Sequence, residues 1–239
     1  MNPNNNPIKE LQHHIDKYLS NREQLIVLEA GCGSGSNINI PNNAYIVGID
    51  VSQEELDKNK IVTEKILGDL QTYELERHKY DFIICWDVLE HLDNPELAME
   101  KLQNAVRPDG LILLAFPNVR ALKSIVAKFT PYWFHRFIYR CIYGARYGSP
   151  GLITFPTYLR WSIEPKRVLK FAYDHDLVET YSAVYESGVQ KRFRAKLHLP
   201  QFVWKVLDWF TWLFSFGQIT LFGSDCIYLF LRPKHQTSE

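Results

Sequence analysis

An excess of charge of either sign is missing from this 239-residue chain, in which 27 Lys+Arg face 27 Asp+Glu. A neutral sum excludes a bulk polycation that coats nucleic acid and an acidic disordered tail. Cysteine is scarce as well, with Cys32, Cys85, Cys141 and Cys226 each more than fifty residues from the next. That spacing excludes a zinc ribbon or a Cys-x-x-Cys redox pair and leaves free thiols, as in a reducing compartment. No 18 uncharged apolar residues run together, so no membrane-spanning helix is expected. No basic start followed by an apolar stretch opens the chain, and the expectation is a cytoplasmic protein without a secretory signal. Metal ligands are not clustered either. His13-His14 sit in a helical pattern where neighbours diverge by about 100°, and without a Cys or carboxylate cluster no metal site is expected.

A local absence says more than the sums. From Gly110 through Ile163 there is no Asp or Glu at all. Residues 1–109 hold 10 Lys+Arg and 19 Asp+Glu, net −9, whereas residues 110–239 hold 17 and 8, net +9. Of 33 aromatic residues, 27 also fall after residue 109. The two halves therefore suit different partners.

Short apolar runs alternate with polar or helical stretches through the first half. Leu25–Ala30, Tyr45–Asp50, Ile61–Leu67 (at its end), Tyr80–Trp86 and Leu111–Phe116 lack strict alternation, as strands buried on both faces of a parallel sheet do. Ile8, Leu11, Ile15 and Tyr18 recur at helical spacing before them, and Asn94-Pro95 opens a helix that Arg107-Pro108-Asp109-Gly110 ends. This β/α alternation predicts a doubly wound α/β sheet. Residues 118–163 then interpose an aromatic stretch with helices over Val119–Phe129 and Tyr132–Tyr143. A helix over Pro165–His175 and a strand over Leu177–Tyr185 follow. A second interposed stretch, 187–223, holds the apolar helix Val203–Phe216, and Asp225–Leu231 is the last strand. The reading is one domain, 1–239, with two insertions.

The first strand runs into Glu29-Ala30-Gly31-Cys32-Gly33-Ser34-Gly35, whose alternate glycines permit positive φ and close approach of a ligand. Asp50 ends the second strand, where a carboxylate can accept from both hydroxyls of a ribose, and Val51 follows it. In Gly68-Asp69-Leu70, Asp69 can accept from an exocyclic adenine amine and Leu70 can offer its N–H to the ring. A nicotinamide dehydrogenase would also explain the glycines and Asp50, but not Gly68-Asp69-Leu70 or the acidic turn Asp87–His91. Together with Tyr80–Leu92 and Arg107–Gly110 plus Phe116-Pro117-Asn118, these segments resemble the class I S-adenosylmethionine-dependent methyltransferases. The resemblance covers about residues 25–117 and the terminal strands. It implies a Rossmann-like seven-stranded sheet whose last strand, Asp225–Leu231, is antiparallel, with helical aromatic lid insertions. It also implies S-adenosyl-L-methionine as cofactor, S-adenosyl-L-homocysteine as product, and Glu29, Gly31, Cys32, Gly33, Gly35, Asp50, Val51, Asp69, Leu70 and Trp86 as cofactor-binding positions. One departure stands out: only 14 residues separate Gly35 from Asp50, and Asn37–Asn43 is a poor helix where the family has a full one, so a single turn is expected.

Methyl transfer from a sulfonium relies mainly on proximity and orientation, and a hydroxyl acceptor also needs its proton removed. His91, with a near-neutral ordinary pKa, and Asp87 are the candidate catalytic residues just after the fourth strand. The basic, aromatic lid suits an anionic or partly apolar small-molecule acceptor, with Arg120, Tyr132, Arg136 and Trp161 as candidate contacts. O-methylation is the leading reading, N- or C-methylation the alternative, and a cofactor-binding module without turnover the rival of another class. The lack of an Asn-Pro-Pro-type motif or an appended RNA-binding domain argues against nucleic acid. Val203–Phe216, with Lys191, Arg192, Arg194 and Lys196 upstream, suits peripheral membrane contact or burial against the lid or a second subunit. Monomer and homodimer stay open.

Overall fold

The computed structural model describes residues 6–20, 22–130, 133, 140 and 157–234. One sheet contains β1 (Leu25–Ala30), β2 (Ala44–Asp50), β3 (Glu64–Leu67), β4 (Tyr80–Trp86), β5 (Val106–Pro117), β6 (Val178–Tyr185) and β7 (Asp225–Leu231). Their order is β3-β2-β1-β4-β5-β7-β6. Strands β1 to β5 pair in parallel, and β7 is antiparallel to both of its neighbours. This is the seven-stranded α/β arrangement that the motifs implied. The helices are α1 (Pro7–Leu19), α2 (Gln53–Lys58), α3 (Pro95–Ala105), α4 (Leu122–Phe129), α5 (Pro165–Asp174), α6 (Gly188–Lys196) and α7 (Gln201–Phe214).

The central strands lack alternation because both faces of the sheet are covered. Leu28, Ile83, Ile112 and Phe230 pack on one side with Leu102 of α3 and Val168 of α5. Val27, Phe82, Leu113 and Leu229 pack on the other with Leu11 and Ile15 of α1 and Leu56 of α2. In α1 the buried stripe is Leu11, Ile15 and Leu19, so Leu19 takes the place that periodicity gave to Tyr18.

Several boundaries differ from the sequence reading for local reasons. Residues 31–43 contain no helix, not even the single turn expected there. Instead the Gln12 side chain of α1 holds this loop reciprocally, donating to the Asn39 carbonyl at 3.0 Å and accepting the Asn39 N–H at 2.9 Å. Strand β3 starts at Glu64, not Ile61, because Asn59 Oδ1 accepts the N–H groups of Ile61 and Val62. Strand β5 starts at Val106, with a register shift that passes from Tyr80/Val106 to Phe82/Leu111. Helix α4 starts at Leu122, not Val119, because Asn118 makes a turn there. Asn118 donates through Nδ2 to the Gly223 carbonyl and accepts the Arg120 N–H. Helix α7 begins and ends two residues before the expected Val203–Phe216, and α2 and α6 carried too little periodicity to be anticipated. The expected helix over Tyr132–Tyr143 lies outside the described residues apart from Trp133 and Arg140.

Candidate active site

The carboxyl ends of β1, β2, β4, β5 and β6 share one edge of the sheet, and the amino end of antiparallel β7 joins them. Open α/β sheets bind ligands at this edge. Strand β1 delivers Glu29 and then a loop that turns on Gly31 and Gly33, with φ of +71° and +44°. A Cβ on Gly31 would stand 2.2 Å from Val88 Cγ2, whereas one on Gly33 or Gly35 would meet nothing within 4 Å. Gly31 is therefore glycine for packing. Gly33 and Gly35 leave free space beside the loop backbone.

Asp50 holds that loop against β2. One oxygen accepts the Gly33 N–H at 2.9 Å and the other the Ser52 N–H at 2.8 Å. A carboxylate oxygen accepts more than one bond, so Asp50 keeps capacity for two hydroxyls while fixing the loop. From below, buried Asn59 donates to the carbonyls of Cys32 and Gly33 at 3.2 and 3.0 Å. Sequence reasoning missed Asn59; its only signal was an Asn at the end of a short polar stretch. Asp69 uses both carboxylate oxygens on Gln71, accepting the backbone N–H at 2.8 Å and the amide at 3.2 Å. Leu70 is buried and Val51 exposed. Trp86 ends β4 and packs partly buried against the α1 side of the core.

Cys32 has its side chain in that same core, with Sγ 2.7 Å from where a Cβ on Gly48 would lie. Burial, with Asp50 and Glu29 adding to it, pushes the thiol up to about 12. The thiol is closed to a ligand and is no nucleophile, and the Cys32 N–H is donated to the Ile49 carbonyl at 3.2 Å. Glu29 is buried and its Oε2 has no partner of good hydrogen-bond geometry among the described residues; burial raises the Glu29 carboxyl, and the nearby Ser36 hydroxyl opposes that shift. An orphaned buried carboxylate oxygen costs about 1–3 kcal/mol until a donor or cation reaches it. The ammonium and sulfonium of S-adenosylmethionine are such groups, and the open glycine space and Asp50 suit its nucleoside. The residues present fit that cofactor.

A methyltransferase-domain family model matches residues 5–147, which include this loop, Asp50 and β4. The chain belongs to the class I S-adenosylmethionine-dependent methyltransferase family. Curated relatives match over part of their length. The ubiquinone biosynthesis O-methyltransferase of Rickettsia akari is 28% identical over 141 residues, covering 53% of this chain and 54% of the relative. That of Neisseria meningitidis is 25% identical over 104 residues, covering 38% and 44%. The matched region thus spans about half the length of these relatives. Among solved structures, phosphoethanolamine N-methyltransferase 2 of Haemonchus contortus, in complex with S-adenosyl-L-methionine, superposes with a TM-score of 0.55 at 13% identity. That match covers 95% of this chain and 53% of the other, and it shows the fold alone.

Beyond β4 the chain gathers acids that share one environment. Asp87 adopts φ +53°, with its N–H donated to the Ala115 carbonyl. Its side chain is open to solvent but recessed among protein atoms, and this desolvation, then the Asp225 carboxylate, pushes it up to about 6 against the pull of Lys123. Lys123 of α4 reaches Asp225 Oδ2 at 3.3 Å, and Tyr185, the last residue of β6, is raised by burial and by both acids. Glu90 is buried with Oε2 unpartnered among the described residues, and burial followed by Asp87 raises it well above the carboxylate range. His91 Nε2 stands 3.9 Å from Glu90 Oε1. Sequence reasoning found Asp87 and His91 but missed Asp225, Lys123 and Tyr185, which lie far apart in the chain and meet only because β7 is antiparallel.

The predicted acceptor contacts divide. Tyr132 and Arg136 lie outside the described residues. Arg120 and Trp161 come together past the end of β5, with the guanidinium 5.8 Å from the indole centroid and Lys128 Nζ at 5.5 Å. They line a cavity of about 400 Å³ with Leu159, Ile125 and Phe214. Arg120 is not a free cation, because its Nε donates to buried Glu164 Oε1 at 2.7 Å. The acid-free stretch ends one residue too early to reveal this partner.

Proposed function

We propose that this methyltransferase transfers the methyl group to an oxygen of an anionic or partly apolar small molecule. Asp87 and His91 would supply the proton acceptor, and Arg120 and Trp161 the acceptor-side contacts. The observation that carries the reading is Asp87, a carboxyl raised to about 6 at the turn after β4. Such a group is ionised at neutral pH yet basic enough to take a hydroxyl proton as the oxygen attacks. The cavity supports the acceptor class, since Arg120 and Lys128 over Trp161 pair cations with an aromatic face. Two relatives named as ubiquinone biosynthesis O-methyltransferases agree with oxygen as the acceptor atom.

In this reading Glu29, Gly31, Cys32, Gly33 and Gly35, the last four through backbone, hold the methionine end, Asp50 the ribose, and Asp69 and Leu70 the adenine. Val51 and Trp86 wall the site. Bound S-adenosylmethionine supplies an activated methyl group on sulfur. Asp87 would take the proton of the acceptor hydroxyl, directly or by way of His91, leaving the oxygen free to receive the methyl group. Orientation by the rigid glycine loop provides the main acceleration.

One observation favours a second reading. Asp87 and Asp225 put two carboxyls near the reaction end, which would also suit an amine nitrogen on an otherwise anionic molecule. A labelled-methyl screen of hydroxylated acids, phosphorylated amines and neutral phenols separates the two. Label on oxygen of anionic or phenolic acceptors supports the first reading, label on phosphorylated amines alone selects the second, and preference for simple cationic amines overturns both.

A further inference from the structure

Helix α7 is amphipathic in the wrong sense for a helix that packs on a water-soluble core. The stripe that faces the protein runs through Trp204, Asp208 and Thr211 and so carries two polar side chains. Asp208 Oδ1 accepts the Leu221 N–H at 3.2 Å, Thr211 Oγ1 donates to the Leu207 carbonyl, and only Trp204 among its large apolar side chains is buried. The outward face is apolar. Phe202, Trp209, Phe210, Leu213, Phe214 and the following Phe216 are 67, 54, 43, 42, 78 and 91% exposed. Rings on this face pack on one another, Trp209 against Phe210 at 5.0 Å and Phe210 against Phe214 at 6.0 Å, so the patch is preformed.

The charges around it select the occupant. Residues 186–223 hold five Lys+Arg and two acids, an excess of three cations: Glu186 pairs with Arg194 at 2.7 Å, and Asp208 is turned inward. Lys191, Arg192 and Lys196 take exposed positions on α6, the helix that directly precedes α7 and meets it through Arg194 at 5.1 Å from the Trp204 ring, and Lys205 is exposed on α7 itself. A second copy would bring the same positive charge against its own, which costs energy at close range. An anionic bilayer complements it, gaining apolar burial and electrostatic attraction together. Fourteen residues of helix span about 21 Å, short of the roughly 30 Å hydrocarbon core, and no described helix is long and apolar enough to cross a membrane. We propose that α7 lies in the plane of an anionic membrane surface, with its outward aromatic face among the lipid chains and the basic residues of α6 at the headgroups. Phe214 and Phe216 also line the cavity that holds Arg120 and Trp161, so docking sets the mouth of that cavity against the bilayer.

Vesicle co-sedimentation of the full chain tests this without turnover, so it stands or falls apart from the acceptor reading. Binding is expected to phosphatidylcholine vesicles containing phosphatidylglycerol and not to phosphatidylcholine alone, and is expected to weaken as salt is raised. Phe202→Asp with Phe210→Asp, both at exposed positions outside the cavity, should weaken it by roughly ten-fold or more, as should Lys191→Glu with Lys196→Glu. S-adenosylhomocysteine affinity and circular dichroism should stay unchanged in both pairs. Equal binding to both vesicles, no binding to either, or unaltered binding by the aromatic pair overturns the proposal. So does a sedimentation-velocity dimer that the same aromatic substitutions dissociate, because the face would then be a subunit contact.

Discussion

The two halves of the molecule use their charge differently. In the acidic half, the ends of β1 and β2 spend carboxylates and amides on backbone: Asp50 fixes Gly33 and Ser52, and Asn59 fixes Cys32 and Gly33. The result is a loop whose shape is set before any ligand arrives. In the basic half, cations lie over rings and along an apolar helix, as Arg120 and Lys128 do at Trp161. Directional hydrogen bonds to backbone suit a partner of fixed shape. Cations over aromatic surface suit a class of partners, with less demand on geometry. In the proposed function, cofactor and acceptor are thus handled by different physics in one chain.

The largest effect expected from breaking the acidic half is at Asp50. Asp50→Ala removes the proposed ribose acceptor and releases two backbone donors, Gly33 N–H and Ser52 N–H. With charged hydrogen bonds at about 1.5–3 kcal/mol each, S-adenosylhomocysteine affinity should fall roughly hundred-fold or more by calorimetry. An unchanged affinity would mean that the cofactor does not sit on this edge. Asn59→Ala comes next. It strips partners from buried backbone around the loop, so stability in urea should drop by about 1–3 kcal/mol and cofactor affinity should weaken with it. A loss of stability alone would leave Asn59 as a folding residue.

At the junction of the halves the effect is on pH dependence. Asp87 is held up to about 6, so it is protonated below that pH, and kcat/KM should rise with pH through about 6 before levelling. Asp87→Asn should lower activity and abolish that limb. Because the folded state binds this proton more tightly than the unfolded chain, the carboxyl's contribution to stability declines as pH rises from the ordinary carboxylate range through 6. The same variant should therefore be no less stable than the parent at pH 8. A pH limb that survives in the variant transfers the role to His91, for which His91→Ala is the companion measurement.

In the basic half, Arg120→Gln should raise KM for an anionic acceptor several-fold while leaving S-adenosylhomocysteine affinity alone. A fall in both would show that the Arg120–Glu164 pair supports the fold more than the acceptor. The smallest effect is expected at Cys32. Burial raises its thiol to about 12, so thiol reagents at neutral pH should not modify it in the folded protein, and Cys32→Ala should keep nearly full activity. Inactivation by modification of Cys32 would contradict the packing described.

What could be read from residue order alone was whatever depends on neighbours in the chain. Strand positions followed from apolar runs, β1, β4 and β7 with the same bounds as observed, because burial on both faces demands unbroken hydrophobicity. Glu29, the glycines, Asp50 and Asp69 were legible because each sits at a strand end that the parallel topology must bring to one edge. Only the tertiary structure decided which glycine packs and which opens space, since that depends on Val88 approaching Gly31 across the sheet edge. It also decided that Glu164 claims Arg120, that Asp225, Lys123 and Tyr185 surround Asp87, and that α7 turns its polar stripe inward. A sequence gives the composition of a helix face. Which face meets the protein is set by what the rest of the chain places beneath it.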